Sequence, residues 1–157
     1  MERGAMNSDS PLVLEHQMAV IDANLVTLLD ESRKREITER LLDEIIEKLN
    51  MERLGPLGFY DAADLRAPGW SFVQPITTSH ISGHYFEKPG EYPHIHLDIY
   101  TCKALDFRAV LDTLHEHLQL ADWAGTFIHR DMDLSTRRSI EFIGHGNAIL
   151  NEAALVA

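Results

Sequence analysis

The sequence predicts a single α+β domain, a two-layer sandwich in which helices pack on one face of a mainly antiparallel sheet. The chain has 157 residues, 45% of them hydrophobic and 25% charged, which is the size and composition of one globular domain with its own core. Two segments carry apolar residues at helical spacing, and the segments around them are rich in β-branched and aromatic residues. The order strand, helix, strands, helix, strands is met most simply by two helices on one face of a sheet.

The N-terminal part of this single domain, which we take as residues 1–157, contains the first strand and the first helix. Residues 1–10 are polar, and we expect them to be flexible. The apolar segment 12–22 predicts a strand. A later set of apolar residues recurs at helical spacing between charged ones, which predicts an amphipathic helix of about three to four turns. They are Ile37, Leu41, Leu42, Ile45, Ile46 and Leu49.

The middle of the chain predicts strands. A short strand is expected at 57–60, and segment 70–87 reads as two strands or one bent strand in which Pro75 indicates an edge or a bulge. Segment 88–93 is a turn, and segment 94–102 alternates between two faces of a strand. One face carries Ile95, Leu97, Ile99 and Thr101, and the other His94, His96, Asp98, Tyr100 and Cys102.

The C-terminal part predicts a second helix and further strands. Asp106 is a candidate N-cap, and the apolar residues after it follow helical spacing as far as Leu118. Segments 123–132 and 138–146 read as strands. We expect the last dozen residues to form a short helix or a tail.

Charge and cysteine content limit the classes of partner. The formal net charge is -11, which argues against nucleic acid or an anionic membrane as the main partner because both need a basic face. The single cysteine, Cys102, excludes an internal disulfide framework and a zinc site of several thiolates. No apolar run has the length of a membrane span, and the first ten residues lack a hydrophobic signal core. We therefore expect a cytoplasmic protein.

Four histidines allow a metal hypothesis. His80 and His84 lie on one face of a predicted strand, and His94 and His96 form an H-x-H pair on another. Imidazoles spaced two apart on a strand project from the same face and can share a transition metal ion. Hydrogen-bonded or solvated strand histidines are the more frequent outcome, so we assign no metal ligand.

The same region allows a covalent-catalysis hypothesis. Ser79, Ser82, His80, His84 and Cys102 could form a serine–histidine or cysteine–histidine pair. The chain has no G-x-S-x-G elbow, the strained turn on which many hydrolases hold their nucleophile. For any one of these residues taken alone, a structural role is the more frequent one.

The combined pattern resembles the bacterial-type short S-adenosylmethionine decarboxylases. The segments that carry the resemblance are "TSHISGH" at 78–84, with Ser79 as its serine, and "LDIYTC" at 97–102. Upstream, Gly69 and Ser71 stand at the family's distances before that serine. The opening "LEHQMAVIDAN" is similar to the family's first strand, so the resemblance covers roughly residues 12–130.

The resemblance implies a protein that cuts its own chain before Ser79. The Ser79 hydroxyl would attack the carbonyl of Thr78 to give an ester, and elimination would leave a pyruvoyl group derived from Ser79 as the cofactor. Ser71 and His84 would assist this processing, and Cys102 would return a proton to the substrate. The implied substrate is S-adenosylmethionine or a related amino acid, decarboxylated for polyamine synthesis, and the implied assembly is a homodimer.

This chain also departs from the family pattern. Thr78 stands where the family has glutamate, and Gly83 where it has a bulky aliphatic residue. The run "YFEKPGE" replaces the family's threonine-tryptophan-proline-glutamate, and Glu87 or Glu91 are candidates for the missing acid. Two alternatives therefore stay open, an unprocessed homologue that serves as a binding or regulatory subunit and a histidine-bound metal protein.

Overall fold

The computed structural model describes residues 15–155. The predicted flexible residues 1–10 and the start of the predicted strand 12–22 lie outside this range. Within it are eight strands, two α-helices and two short 3-10 turns at Glu31–Arg33 and Leu134–Thr136. The strands are β1 (Gln17–Leu25), β2 (Gly58–Asp61), β3 (Gly69–Ile76), β4 (Ser79–Phe86), β5 (His94–Thr101), β6 (Leu120–His129), β7 (Arg138–His145) and β8 (Ala148–Leu155), and the helices are α1 (Lys34–Lys48) and α2 (Phe107–Leu118).

The strands form one antiparallel sheet in the order β2-β3-β4-β5-β1-β6-β7-β8. Both helices contribute buried residues to a single hydrophobic core that includes alternate residues of the strands. On β1, for example, every odd-numbered residue from Gln17 to Leu25 is buried and the even-numbered ones are partly exposed. The predicted α+β two-layer sandwich is therefore confirmed. We call the sheet surface opposite the helices the uncovered face.

Both helices lie close to their predicted positions. α1 buries Leu41, Leu42 and Ile45, which belong to its predicted apolar stripe. α2 begins after Asp106, whose carboxylate accepts the backbone N–H of Ala109 at 3.0 Å, as expected of an N-cap. None of the helices among residues 15–155 is long and apolar enough to span a membrane.

The segment predicted as two strands or one bent strand forms two strands. β3 and β4 are joined by a two-residue turn, Thr77–Thr78, and Ile76 pairs with Ser79 across it. Pro75 lies beyond the part of β3 that β2 covers, which ends at Val73. Its missing N–H therefore interrupts no ladder on that side.

The C-terminal prediction was wrong, because residues 148–155 form a strand rather than a helix or tail. β8 pairs with β7 through a turn at Gly146–Asn147, where Gly146 has a φ of 58°. A Gly-Asn pair between two extended segments is a hairpin signal. The segment after it contains three alanines between 148 and 154, a residue of weak strand propensity, and so does not read clearly as a strand.

Gly83 has a packing reason in this chain. It pairs with Phe72 across the β3–β4 ladder, and a Cβ added at Gly83 would lie 2.4 Å from the ring of Phe72, a fully buried side chain. The bulky aliphatic residue of the family pattern would occupy the space that this ring fills.

Gly83→Ala is therefore expected to lower the free energy of unfolding by about 1–3 kcal/mol, the usual cost of overpacking a core. Chemical denaturation measures this change. Gly90→Ala is the matched control, because a Cβ at Gly90 meets nothing within 4 Å. Equal stability of the two variants would contradict the steric explanation.

Candidate active site

The turn between β3 and β4 holds a strained residue directly before Ser79. Thr78 has a φ of 52°, in the left-handed region that β-branched residues rarely adopt. The other residues with side chains and positive φ in the described chain are Asn50 and Gln119, and both follow the last turn of a helix, where this conformation is common. Backbone strain of this kind costs on the order of 1–3 kcal/mol and is concentrated at functional sites.

Cys102 contacts this turn. It follows the last residue of β5, is 5% exposed, and its thiol accepts a hydrogen bond from the Thr78 hydroxyl at 2.7 Å. Its backbone N–H donates to the Ser79 hydroxyl oxygen at 2.9 Å. The structure thus brings together Thr78, Ser79 and Cys102. The expectation that Cys102 shares a strand face with His96 was wrong, because β5 ends at Thr101 and Cys102 is buried where His96 is exposed.

Ser71 and His84 form a second pair. They are register partners on β3 and β4, and the Ser71 hydroxyl and the Nδ1 atom of His84 are 2.6 Å apart. His84 is exposed and Ser71 partly exposed, and both belong to the uncovered face. A hydroxyl that is hydrogen-bonded to an imidazole can donate a proton or accept one, and proton transfer is what assistance to chain cleavage requires.

Within one chain, the Ser71–His84 pair lies far from the group formed by Thr78, Ser79 and Cys102. Ser79 and His84 are five residues apart on β4, and five residues of extended strand span about 16 Å. The odd separation also directs their side chains to opposite faces of the sheet. The hypothetical pairing of His84 with Ser79 or with Cys102 is therefore wrong for a single chain.

His94 and His96 of the predicted H-x-H pair are hydrogen-bonded to side chains of β1. The Nδ1 atom of His94 is 2.8 Å from Oδ1 of Asn24, and that of His96 donates to the carboxylate of Asp22. Burial lowers the pKa of His94, and the adjacent His96 adds to this effect while Asp22 opposes it. Within residues 15–155, no three His, Cys, Asp or Glu side chains are arranged to hold one metal ion.

A cavity of about 370 Å³ lies beside these histidines. His94, His96, Asn24, Glu91 and Tyr92 are among its lining residues. Glu87 instead lines another cavity, together with Lys34, Asp61 and Trp70. Of the two candidate replacements for the family's acid, Glu91 is therefore the one beside the histidine cluster.

Sequence reasoning missed the residues that anchor these side chains. Asp22 and Asn24 pair with His96 and His94 across β1 and β5, and this register is invisible in a single sequence. The sequence carried one weak signal for this contact: Asp22 and Asn24 are two residues apart, as are His94 and His96, so the two pairs can face each other across neighbouring strands.

A family model described as S-adenosylmethionine decarboxylase matches residues 20–131, which is more than half of the chain. The matched range contains Ser71, Ser79, His84 and Cys102. A sequence comparison with curated proteins gave no match.

Proposed function

Since the chain belongs to the S-adenosylmethionine decarboxylase family, we propose that it cuts itself between Thr78 and Ser79 and then decarboxylates S-adenosylmethionine or a related amino acid. The observation that carries this proposal is the geometry of the β3–β4 turn. A strained Thr78 immediately precedes Ser79, and Cys102 contacts both residues. The polyamine pathway is proposed on the family relation alone.

The residues around Ser79 fit the formation of a pyruvoyl group. The Ser79 hydroxyl attacks the carbonyl carbon of Thr78, the peptide C–N bond breaks, and the amine of Ser79 takes up the proton. Residue 79 then loses its Cα proton and the Cβ–O bond breaks, which releases residues 1–78 with a carboxylate at Thr78. Residue 79 is then a dehydroalanine, whose Cβ takes up a proton to give an imine. Water adds to the imine carbon and ammonia leaves, so that a methyl ketone remains at the new N-terminus.

Strain at Thr78 favours the first of these steps. The left-handed conformation raises the free energy of the intact turn, and cutting the chain there removes the constraint. Thr78 in place of the family's glutamate is compatible with this step, because the residue before the serine supplies only its carbonyl carbon.

Cys102 is the proposed proton donor to the substrate. When formed, the ketone would supply an electron-accepting group for the loss of carbon dioxide. The Cys102 thiol lies beside Thr78 and its backbone N–H holds the Ser79 oxygen, so the thiol is positioned to return a proton to the substrate carbon. Its burial would limit access of bulk water to that position.

The proposed assembly is a homodimer in which the uncovered faces meet. Ser71 and His84 lie too far from Thr78 to assist cleavage within their own chain, so a second copy is needed to bring them there. This face also exposes apolar side chains, with Val73 45% and Ile143 51% exposed. A two-fold interface would place the Ser71–His84 pair of each chain near the turn of its partner.

Intact-mass analysis of the purified chain tests the proposal. We expect two fragments, residues 1–78 and 79–157, under denaturing conditions, and release of carbon dioxide when S-adenosylmethionine is added. A chain that stays intact through prolonged incubation would exclude the self-cleaving enzyme and favour the binding or regulatory subunit.

A further inference from the structure

Arg130 is an exposed cation of the uncovered face that has no carboxylate partner among the described residues. It follows the end of β6, and its guanidinium lies over the ring of Tyr100 on β5, 4.9 Å from the ring centroid. One of its N–H groups donates to the sulfur of Met18 on β1 at 3.9 Å. No carboxylate among residues 15–155 lies within ion-pair distance of it. This cation is therefore free to pair with a carboxylate of a second molecule.

Two places on β4 fix the two-fold axis of the proposed homodimer. Cleavage across the interface requires that His84 of one chain lie near the Thr78–Ser79 bond of the other. Two sheets that face each other are related by an axis that lies in the plane between them. An axis along the strands would leave both places at their own heights, whereas an axis across the strands exchanges the two ends of β4. The axis therefore crosses β4 midway between them, at Ser82 on the uncovered face.

The residues beneath this axis form one row across the sheet. The pairing of β4 with β3 and β5, and of β5 with β1, extends the row from Ser82 to Val73, Asp98 and Val20. In a two-fold interface a residue on the axis faces its own copy. A residue two positions to one side of the row faces the partner's residue two positions to the other side.

This exchange brings the cation opposite a carboxylate. On β5, Tyr100 and His96 lie two residues to either side of the row, and on β1 Met18 and Asp22 do the same. The guanidinium of Arg130, which contacts Tyr100 and Met18, therefore faces His96 and Asp22 of the partner subunit. Sheets packed face to face cross by about 30°, which displaces a residue on β5, one strand from β4, by about 2–3 Å. An arginine side chain can span this displacement.

Asp22 can accept this cation. Its carboxylate accepts the Nδ1–H of His96, and its side chain is 46% exposed on the uncovered face. That hydrogen bond uses one of its two oxygens. A guanidinium and a carboxylate bond through two parallel N–H groups, and a guanidinium stacked on an aromatic ring keeps its N–H groups free at the edge of its plane.

We infer that two symmetric ion pairs, each between Arg130 of one chain and Asp22 of the partner subunit, hold the homodimer on either side of an axis over Ser82. The inference rests on the proposed function, which requires the exchange between chains. Asp98 of each chain faces its own copy at the axis, and the two arginines offset the repulsion between these carboxylates. Complementary charges also fix the register of an interface, which here keeps His84 near the turn of the other chain.

Charge reversal on each side of the pair tests the inference through the oligomeric state of the full chain. An Arg130→Asp homodimer places two carboxylates together at each pair, and an Asp22→Arg homodimer places two guanidiniums together. Each variant alone is expected to raise the dissociation constant of the dimer ~10²- to 10³-fold, the effect of like charges at an interface. An equimolar mixture of the two should dimerise again, because their heterodimer has opposite charges at both pairs. Analytical ultracentrifugation measures these constants.

Arg35→Asp is the matched control. Arg35 also lies over an aromatic ring, that of Phe59 at 5.4 Å, but it belongs to α1, which packs on the opposite side of the sheet, so this variant should dimerise as wild type does. Should a reversal prevent folding, Arg130→Met replaces it and is expected to weaken the dimer ~10-fold. An unchanged dissociation constant in that variant would overturn the pair.

The outcomes separate this inference from the proposed function. A monomeric wild type, reversed variants that dimerise as wild type does, or folded variants whose mixture stays monomeric would each overturn the inference. Dimers restored by mixing, together with a wild type that is never cut, would keep the interface and exclude the enzyme. A wild type that is cut, together with reversed variants that dimerise normally, would keep the enzyme and exclude the pair.

Discussion

Ser79→Ala is expected to yield a single intact chain of 17.8 kDa under conditions in which wild type is fully cut. The reason is that alanine lacks the hydroxyl that attacks the carbonyl of Thr78, and no other group of the chain has this position by covalent geometry. Decarboxylation should disappear with cleavage, because the ketone cannot form. Denaturing electrophoresis and intact mass measure the first effect, and carbon dioxide release the second.

Ser82→Ala is the matched control for this variant. Ser82 lies on the same strand, three residues after Ser79, and is also partly exposed. The Ser82→Ala chain should be cut at the wild-type rate. Cleavage of Ser79→Ala, or equal protection in Ser82→Ala, would refute Ser79 as the attacking group.

Cleavage of a His84→Ala chain is expected to be slow alone and restored by a partner that carries Ser79→Ala. Loss of an acid–base residue lowers a rate by about 10²- to 10⁴-fold, so the His84→Ala homodimer should remain largely intact. In a mixed dimer the Ser79→Ala chain contributes an intact Ser71–His84 pair, while the His84→Ala chain contributes an intact turn. The separation of about 16 Å along β4 requires this exchange between chains.

Co-expression of the two variants with tags of different mass measures the restored cleavage on the His84→Ala chain alone. Co-expression with a Ser79→Ala/His84→Ala double variant is the control, because that partner supplies no histidine. Mixed dimers without restored cleavage would show that His84 does not act across the interface.

The predictable parts of the fold are those that depend on neighbours in sequence. The alternation of β5 and the capped start of α2 at Asp106 both appear in the structure, because periodicity and capping are local properties. β1 was placed too early and runs from Gln17 to Leu25 instead. The predicted strand ended at Asp22, but β1 continues to Leu25. Polar residues such as Asp22 do not end a strand when their side chains are partly exposed on one face of the sheet.

The candidate site was only partly predictable. The contact of Cys102 with Thr78 depends on the pairing of β4 with β5. The family resemblance indicated that Ser79 and Cys102 act together, but a single sequence does not show which strands pair. The distance between Ser79 and His84, by contrast, follows from strand geometry alone.

The order of strands in the sheet has a consequence for the protein after the cut. Residues 1–78 would retain β1 to β3 and residues 79–157 β4 to β8, yet β1 lies between β5 and β6 in the sheet. The two pieces are therefore interleaved, and they would separate only if the central ladders broke. Refolding would then become a bimolecular reaction, so the melting temperature of the mature protein should rise with its concentration.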